Sequence, residues 1–254
     1  MAGHSHWASI KHKKALVDAK RGKLWSKLTK AIIVAARLGG GDPDLNARLR
    51  DAIDDAKAAG IPKDNIQRAI KRGTGELEGA GNLESVVYEG YGPGGVAVLC
   101  EVLTDNRNRT APEIRKIFEL SDGKLGQSGS VAWIFESKGV FWISQQQAQE
   151  DALMEIALEA GADDVTREGD KFCITCDPSV FRLLSEKLQA AGIEPESKKL
   201  TLMPKTTLDI TDPDIARKVL KLMDRLDDHD DVQNVASNFN IPDEIMAQLA
   251  KESE

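Results

Sequence analysis

Nine cationic side chains crowd the start of the chain. Lys11, Lys13, Lys14, Lys20, Arg21, Lys23, Lys27, Lys30 and Arg37 all precede Gly39, with Asp18 as the one acid among them. Ammonium and guanidinium groups at this density suit phosphate oxygens and the release of their counterions. The phosphate-contact set expected here is Lys11, His12, Lys13, Lys14, Lys20, Arg21, Lys23, Lys27 and Lys30. Trp7 lies beside the cluster, where an indole either stacks on an unpaired base or serves packing. A second pair, Arg107 and Arg109, sits in Thr104-Asp105-Asn106-Arg107-Asn108-Arg109-Thr110, between a strand and a helix. Asn108 or Thr110 would cap that helix while the arginines project toward a phosphate backbone. Alternatively, Asp105 pairs with an arginine and shapes the turn.

Other constellations point to little chemistry. There is no Ser-His-Asp signature, no Walker lysine and no G-x-G-x-x-G after a strand. Beyond the N-terminal tip His229 is the sole histidine, which leaves few general bases near neutral pH. Neither enzymatic activity nor a cofactor or small-molecule substrate is expected. Cys173-Ile174-Thr175-Cys176 has C-x-x-C spacing, but positions three apart on a strand face opposite sides, and no second pair completes a zinc site. Asp227-Asp228-His229-Asp230-Asp231 lacks the glycine and spacing of a calcium loop and reads as a solvated acidic turn that repels polyanions. With Met1 removed, Ala2-Gly3-His4 would present an amine, two amides and an imidazole to Cu(II) or Ni(II), an incidental affinity only.

These cations belong to a chain of 254 residues with a net charge of −7. The charge is unevenly placed. Residues 1–75 hold 16 Lys and Arg against 7 Asp and Glu, leaving 18 basic and 34 acidic residues in the remainder. Such separation suggests a polyanion-binding arm on an acidic body. Apolar residues at 41% exclude a disordered chain. No apolar run nears the ~20 residues that cross a bilayer, so no membrane partner is expected. The start lacks a secretory apolar region and the three cysteines suit a reducing compartment, so the chain is expected in the cytoplasm.

Periodicity supplies the elements. Leu24, Trp25, Leu28, Ile32, Ala35 and Ala36 share one helical face, with Lys23, Lys27, Lys30 and Arg37 opposite, until Gly39-Gly40-Gly41 ends the helix. A second helix is expected from Asp42-Pro43 to Gly60, and a third over residues 62–72 with Ile66 and Ile70 inward. Residues 73–83 read as a glycine-rich linker. Strands at 86–91 and 96–103 flank the hairpin signal Gly92-Pro93-Gly94-Gly95, and a helix follows over 111–120. Strands at 130–135 and 140–143 are expected as a second hairpin about Ser137-Lys138-Gly139. A helix, two strands, a helix and a strand then complete a β-α-β-β-α-β order up to 204. A strand at 206–210, a helix at 213–226 and a strand at 232–235 would join residues 84–120 in one sheet.

The fold class is therefore α+β: a basic three-helix domain, then two α/β, ferredoxin-like domains, one inserted in the other. Expected boundaries are 1–75, 76–129 with 205–254, and 130–204.

Several blocks together resemble the YebC/PmpR family: Gly3-His4-Ser5-His6-Trp7, Ile10-Lys11-His12-Lys13-Lys14, Asp18-Ala19-Lys20-Arg21-Gly22-Lys23, Tyr88-Glu89-Gly90-Tyr91-Gly92-Pro93-Gly94-Gly95, the Thr104–Thr110 block, Gly129-Ser130-Val131-Ala132-Trp133 and Asp231-Val232-Gln233-Asn234-Val235. His6 departs from the lysine many relatives carry. The resemblance implies a helical first domain and two α/β domains, one inserted in the other. It also implies a DNA-binding transcriptional regulator. Proteins related to the mitochondrial translational activator of cytochrome c oxidase subunit I instead imply a translation factor on ribosomal RNA, assisting elongation on difficult nascent sequences. No helix carries a run of Asn, Gln and Arg suited to reading duplex bases, so backbone and shape recognition is expected.

Overall fold

The computed structural model describes residues 18–77 and 83–251, with backbone alone for 18–21, 47, 250 and 251. Trp7, Ala2-Gly3-His4, Lys11, His12, Lys13 and Lys14 lie outside the described residues, as do the side chains of Lys20 and Arg21. The chain is α+β, and its described residues divide into two compact units: those from 18 to 130 with Arg217–Val235, and Val131–Ala216 with those from 236 onward.

The first unit begins with helices α1 (Asp18–Gly39), α2 (Ala47–Ala58) and α3 (Lys63–Gly73). Their apolar faces meet around Ile32, Leu49, Ile53, Ile66 and Ile70, with Trp25 and Leu28 packed at the margin. The second helix starts later than Asp42-Pro43 suggested. Asn46 caps it, accepting from the Leu49 amide at 3.1 Å, while its Nδ2 donates to Ala35 O and Gly40 O, both at 2.8 Å. One buried amide thus caps α2 and satisfies two carbonyls at the end of α1. Where α1 and α3 cross, a Cβ on Gly73 would stand 2.5 Å from Ile33 O and 2.6 Å from the Ala36 Cβ. Gly73→Ala is expected to lower stability by about 1–3 kcal/mol through overpacking. Urea denaturation checks this, and an unchanged midpoint would contradict the close crossing.

Strands β1 (Glu84–Tyr91) and β2 (Ala97–Thr104) form the expected hairpin, closed through Gly94 and Gly95 at positive φ. Helix α4 (Arg107–Glu119) and the short strand β3 (Lys124–Leu125) follow. Much later, α7 (Pro213–Asp227) returns the chain to β9 (Val232–Ser237), giving the sheet order β3-β1-β2-β9.

The second unit runs β4 (Phe135–Ser144), α5 (Glu150–Ala160), β5 (Asp164–Glu168), β6 (Lys171–Cys176), α6 (Phe181–Ala190) and β7 (Ser197–Pro204). The order β5-β6-β4-β7, with every neighbour antiparallel, is the ferredoxin-like arrangement. Residues 135–144 are one continuous strand, not two arms of a hairpin. Gly139 sits mid-strand, paired with Cys176 and Leu200. A Cβ there would meet Phe181 at 2.5 Å and the Cys176 Sγ at 2.6 Å. Its glycine serves close packing and makes no turn. The strand expected at 206–210 does not join the other sheet either. Its residues Leu208–Asp209 (β8) pair in parallel with Phe239–Asn240 (β10), ahead of α8 (Asp243–Lys251). No helix of the described residues is long and apolar enough to cross a membrane.

Candidate nucleic-acid interface

The lysine stripe of α1 faces protein. Lys23, Lys27 and Lys30 fall on one side of the helix at i, i+4 and i+7. Lys23 Nζ donates to Asp228 O at 2.9 Å, Lys27 Nζ to Asp227 O at 2.5 Å and Lys30 Nζ to Asp230 O at 3.1 Å. These carbonyls stand at and just beyond the C-terminal end of α7, where the helix leaves acceptors unpaired and its dipole is negative. Three ammonium groups are what such an end needs. Arg37, the last cation of the stripe, donates to Leu83 O at 3.3 Å.

The turn these lysines hold is built around a buried carboxylate, so the solvated acidic turn expected for residues 227–231 is corrected. Asp231 is 3% exposed. Its Oδ1 accepts from Lys30 at 2.7 Å, and its Oδ2 accepts from Arg109 Nη2 at 2.5 Å and from Thr110 Oγ1 at 2.8 Å. Its backbone carbonyl accepts from Leu103 N, and its amide donates to His229 Nδ1. The ring proton of His229 then sits on Nε2, donating to Glu113 at 3.1 Å. Burial alone would push the Asp231 carboxyl up. The hydrogen bonds from Lys30, Thr110 and Arg109 outweigh it and hold the group well below the usual carboxylate range.

Arg109 is therefore a clamp on Asp231, with Asp105 at 3.3 Å and Glu113 at 3.9 Å beside it. The local ion pair weighed for this loop is present, and a distant one exceeds it. Helix α4 is capped by Asn106, whose side chain accepts from the Arg109 amide, and not by Asn108 or Thr110. Arg107 projects outward, with Glu84 at 3.7 Å. The cysteines of Cys173-x-x-Cys176 split as alternation requires: Cys173 packs with Val140 and Trp142, and Cys176 with the helix-side core. Burial pushes the thiols up, to about 12 for Cys173 and about 11 for Cys176, far from thiolate chemistry.

Helix α3 supplies cations that the initial set omitted. Ile66, Ala69, Ile70 and Gly73 face the core, which turns Gln67, Arg68, Lys71 and Arg72 outward. Lys63 is exposed one turn earlier. Arg68 bonds Asn65 Oδ1, and no carboxylate among the described residues pairs with Lys63, Arg68, Lys71 or Arg72. Asp64 is the only acid on the helix. The signal was legible beforehand: apolar residues at 66, 69, 70 and 73 force the intervening cations onto one outer arc spanning roughly 14 Å. It was overshadowed by the denser cluster before Gly39.

A family model described as the TACO1/YebC protein N-terminal domain matches residues 5–76, and one described as the TACO1/YebC second and third domain matches residues 83–239. A "probable transcriptional regulatory protein" of Rhodopirellula baltica is 55% identical over 249 residues, covering 98% of this chain and 100% of that protein. A protein of the same description from Halothermothrix orenii is 54% identical over 254 residues, covering 99% and 100%. The crystal structure of a conserved hypothetical protein from Aquifex aeolicus superposes with a TM-score of 0.85 at 49% identity, covering 93% of this chain and 97% of that one.

Proposed function

The chain belongs to the TACO1/YebC family, and from that membership we propose that it is a nucleic-acid-binding regulator of gene expression, acting in the cytoplasm on DNA as a transcriptional regulator. The observation that carries this reading is the exposed arc of Lys63, Arg68, Lys71 and Arg72 on α3, free of carboxylate partners among the described residues. Lys11, His12, Lys13, Lys14, Lys20 and Arg21 add further phosphate contacts in this proposal. Lys23, Lys27, Lys30 and Arg109 contribute by holding the helical region and α4 to the acidic turn. The relatives' names as transcriptional regulatory proteins favour DNA.

A second reading, binding to ribosomal RNA in translation, draws on the composition of the arc. It offers four cations and a single Gln67, which grip phosphates but make no code for duplex bases. Structured RNA is recognised largely through backbone and shape. Duplex DNA and a ribosomal RNA fragment, titrated against the full chain at several salt concentrations, separate the two. Log affinity for the true target is expected to fall against log salt with a slope of about −0.7 to −0.9 per phosphate contacted. An affinity indifferent to salt on both would end the phosphate reading.

A further inference from the structure

Beside α1 and α4, the first unit contains a cleft of about 770 Å³, within the range of roughly 300–1,000 Å³ common for ligand sites. We propose that it holds one nucleobase bearing an exocyclic amine, extruded from a single strand. This rests on the nucleic-acid reading above and adds a base-specific site to it.

At the back of the cleft, Asp231 is satisfied by Lys30, Arg109 and Thr110. Lys23 and Lys30 reach the backbone carbonyls of Asp228 and Asp230, so the two carboxylates gain no ammonium partner from them. Asp228 and Asp230 are exposed and line the cleft, and among the described residues neither side chain has a hydrogen bond or ion pair. Lys116, also in the lining, is likewise unpaired among the described residues. Ile117 and Leu120, from the last turn of α4 and its cap, add an apolar patch, and Leu120 is 61% exposed. A ligand suited to this lining brings hydrogen-bond donors for two carboxylates, a flat apolar body for Ile117 and Leu120, and a negative group for Lys116.

A free phosphate fails the first two requirements and is repelled by the carboxylates. A cytosine, adenine or guanine nucleotide meets all three. Its N4, N6 or N2 amine donates to a carboxylate, its ring covers the apolar patch, and its own phosphate is drawn to Lys116. Uracil has no exocyclic amine and presents a carbonyl oxygen in its place. Proteins that read single-stranded RNA take unstacked bases in this way. The site therefore gives a preference for amine-bearing bases over U in an otherwise backbone-reading protein.

The test titrates CMP, AMP, UMP and ribose 5-phosphate into the full chain, with amide chemical shifts as the readout. CMP and AMP are expected to saturate, shifting amides of α4 and residues 228–231. UMP should bind roughly tenfold more weakly and ribose 5-phosphate not measurably. Ser26→Trp fills the cleft from an exposed position and should abolish CMP binding without moving the melting temperature. Asp230→Ala should narrow the preference for CMP over UMP. Equal binding of CMP and UMP, or Ser26→Trp without effect, overturns the proposal. A single-stranded oligonucleotide run in parallel separates the failures. If it binds in a salt-dependent manner while CMP does not, the cleft assignment falls alone. If neither binds, the nucleic-acid reading falls with it.

Discussion

Asp231→Ala is expected to cost about 3 kcal/mol of stability, toward the lower end of what breaking a buried ion pair costs. The lower end applies because the stranded cations can rehydrate: the Lys30 and Arg109 side chains are 20% and 46% exposed, against 5% for Asp231. The loss should grow less as pH falls. Desolvation raises the Asp231 carboxyl, but hydrogen bonds from Lys30, Thr110 and Arg109 bring it below its unfolded value. A group depressed in the folded state contributes fully above the unfolded pKa, about 3.9 for aspartate, and its contribution disappears as pH drops toward the folded value. Wild type and variant should therefore differ most at neutral pH and converge below about pH 4. Urea denaturation from pH 7 to pH 3 measures this. A constant difference across that range would show that lost packing, and not the charge, explains the variant.

The triple reversal Arg68→Glu, Lys71→Glu, Arg72→Glu is expected to weaken nucleic-acid binding at least about a hundredfold near 0.1 M salt and to flatten the salt slope by about 2–3, one phosphate contact per residue. All three side chains are exposed, so the fold should persist. The informative contrast is Lys23→Met with Lys27→Met. These lysines are spent on Asp228 O and Asp227 O, so their loss should lower the melting temperature and leave the salt slope nearly unchanged. If the methionine pair flattens the slope and the reversal on α3 does not, the phosphate surface lies on α1 and not on α3. Equilibrium titration of a labelled oligonucleotide at four salt concentrations reads both.

Much of the fold was legible because it is local. The core stripe of α1, the inward Ile66 and Ile70 of α3, and the glycine turn between β1 and β2 each follow from periodicity or turn chemistry within a dozen residues. Gly139 looked like a turn because glycine marks turns, yet its reason is Phe181, more than forty residues away in sequence. Asp42-Pro43 looked like a helix start, but Asn46 won by serving two helices at once.

By itself, the sequence determined that a basic helical segment precedes an acidic α+β body, that catalysis has few candidate residues, and which family the blocks resemble. It could not decide what each cation is for. An ammonium group suits a phosphate and a helix-end carbonyl equally well, and spacing on one helix cannot tell them apart. Tertiary structure made the choice by bringing α1 against a turn some 200 residues distant, where three carbonyls and Asp231 already wanted positive charge. The lysines meet those acceptors at short range and partly out of water, so the contact is held whether or not a polyanion is present. The cations of α3, without carboxylate partners among the described residues, stay available to bind something else.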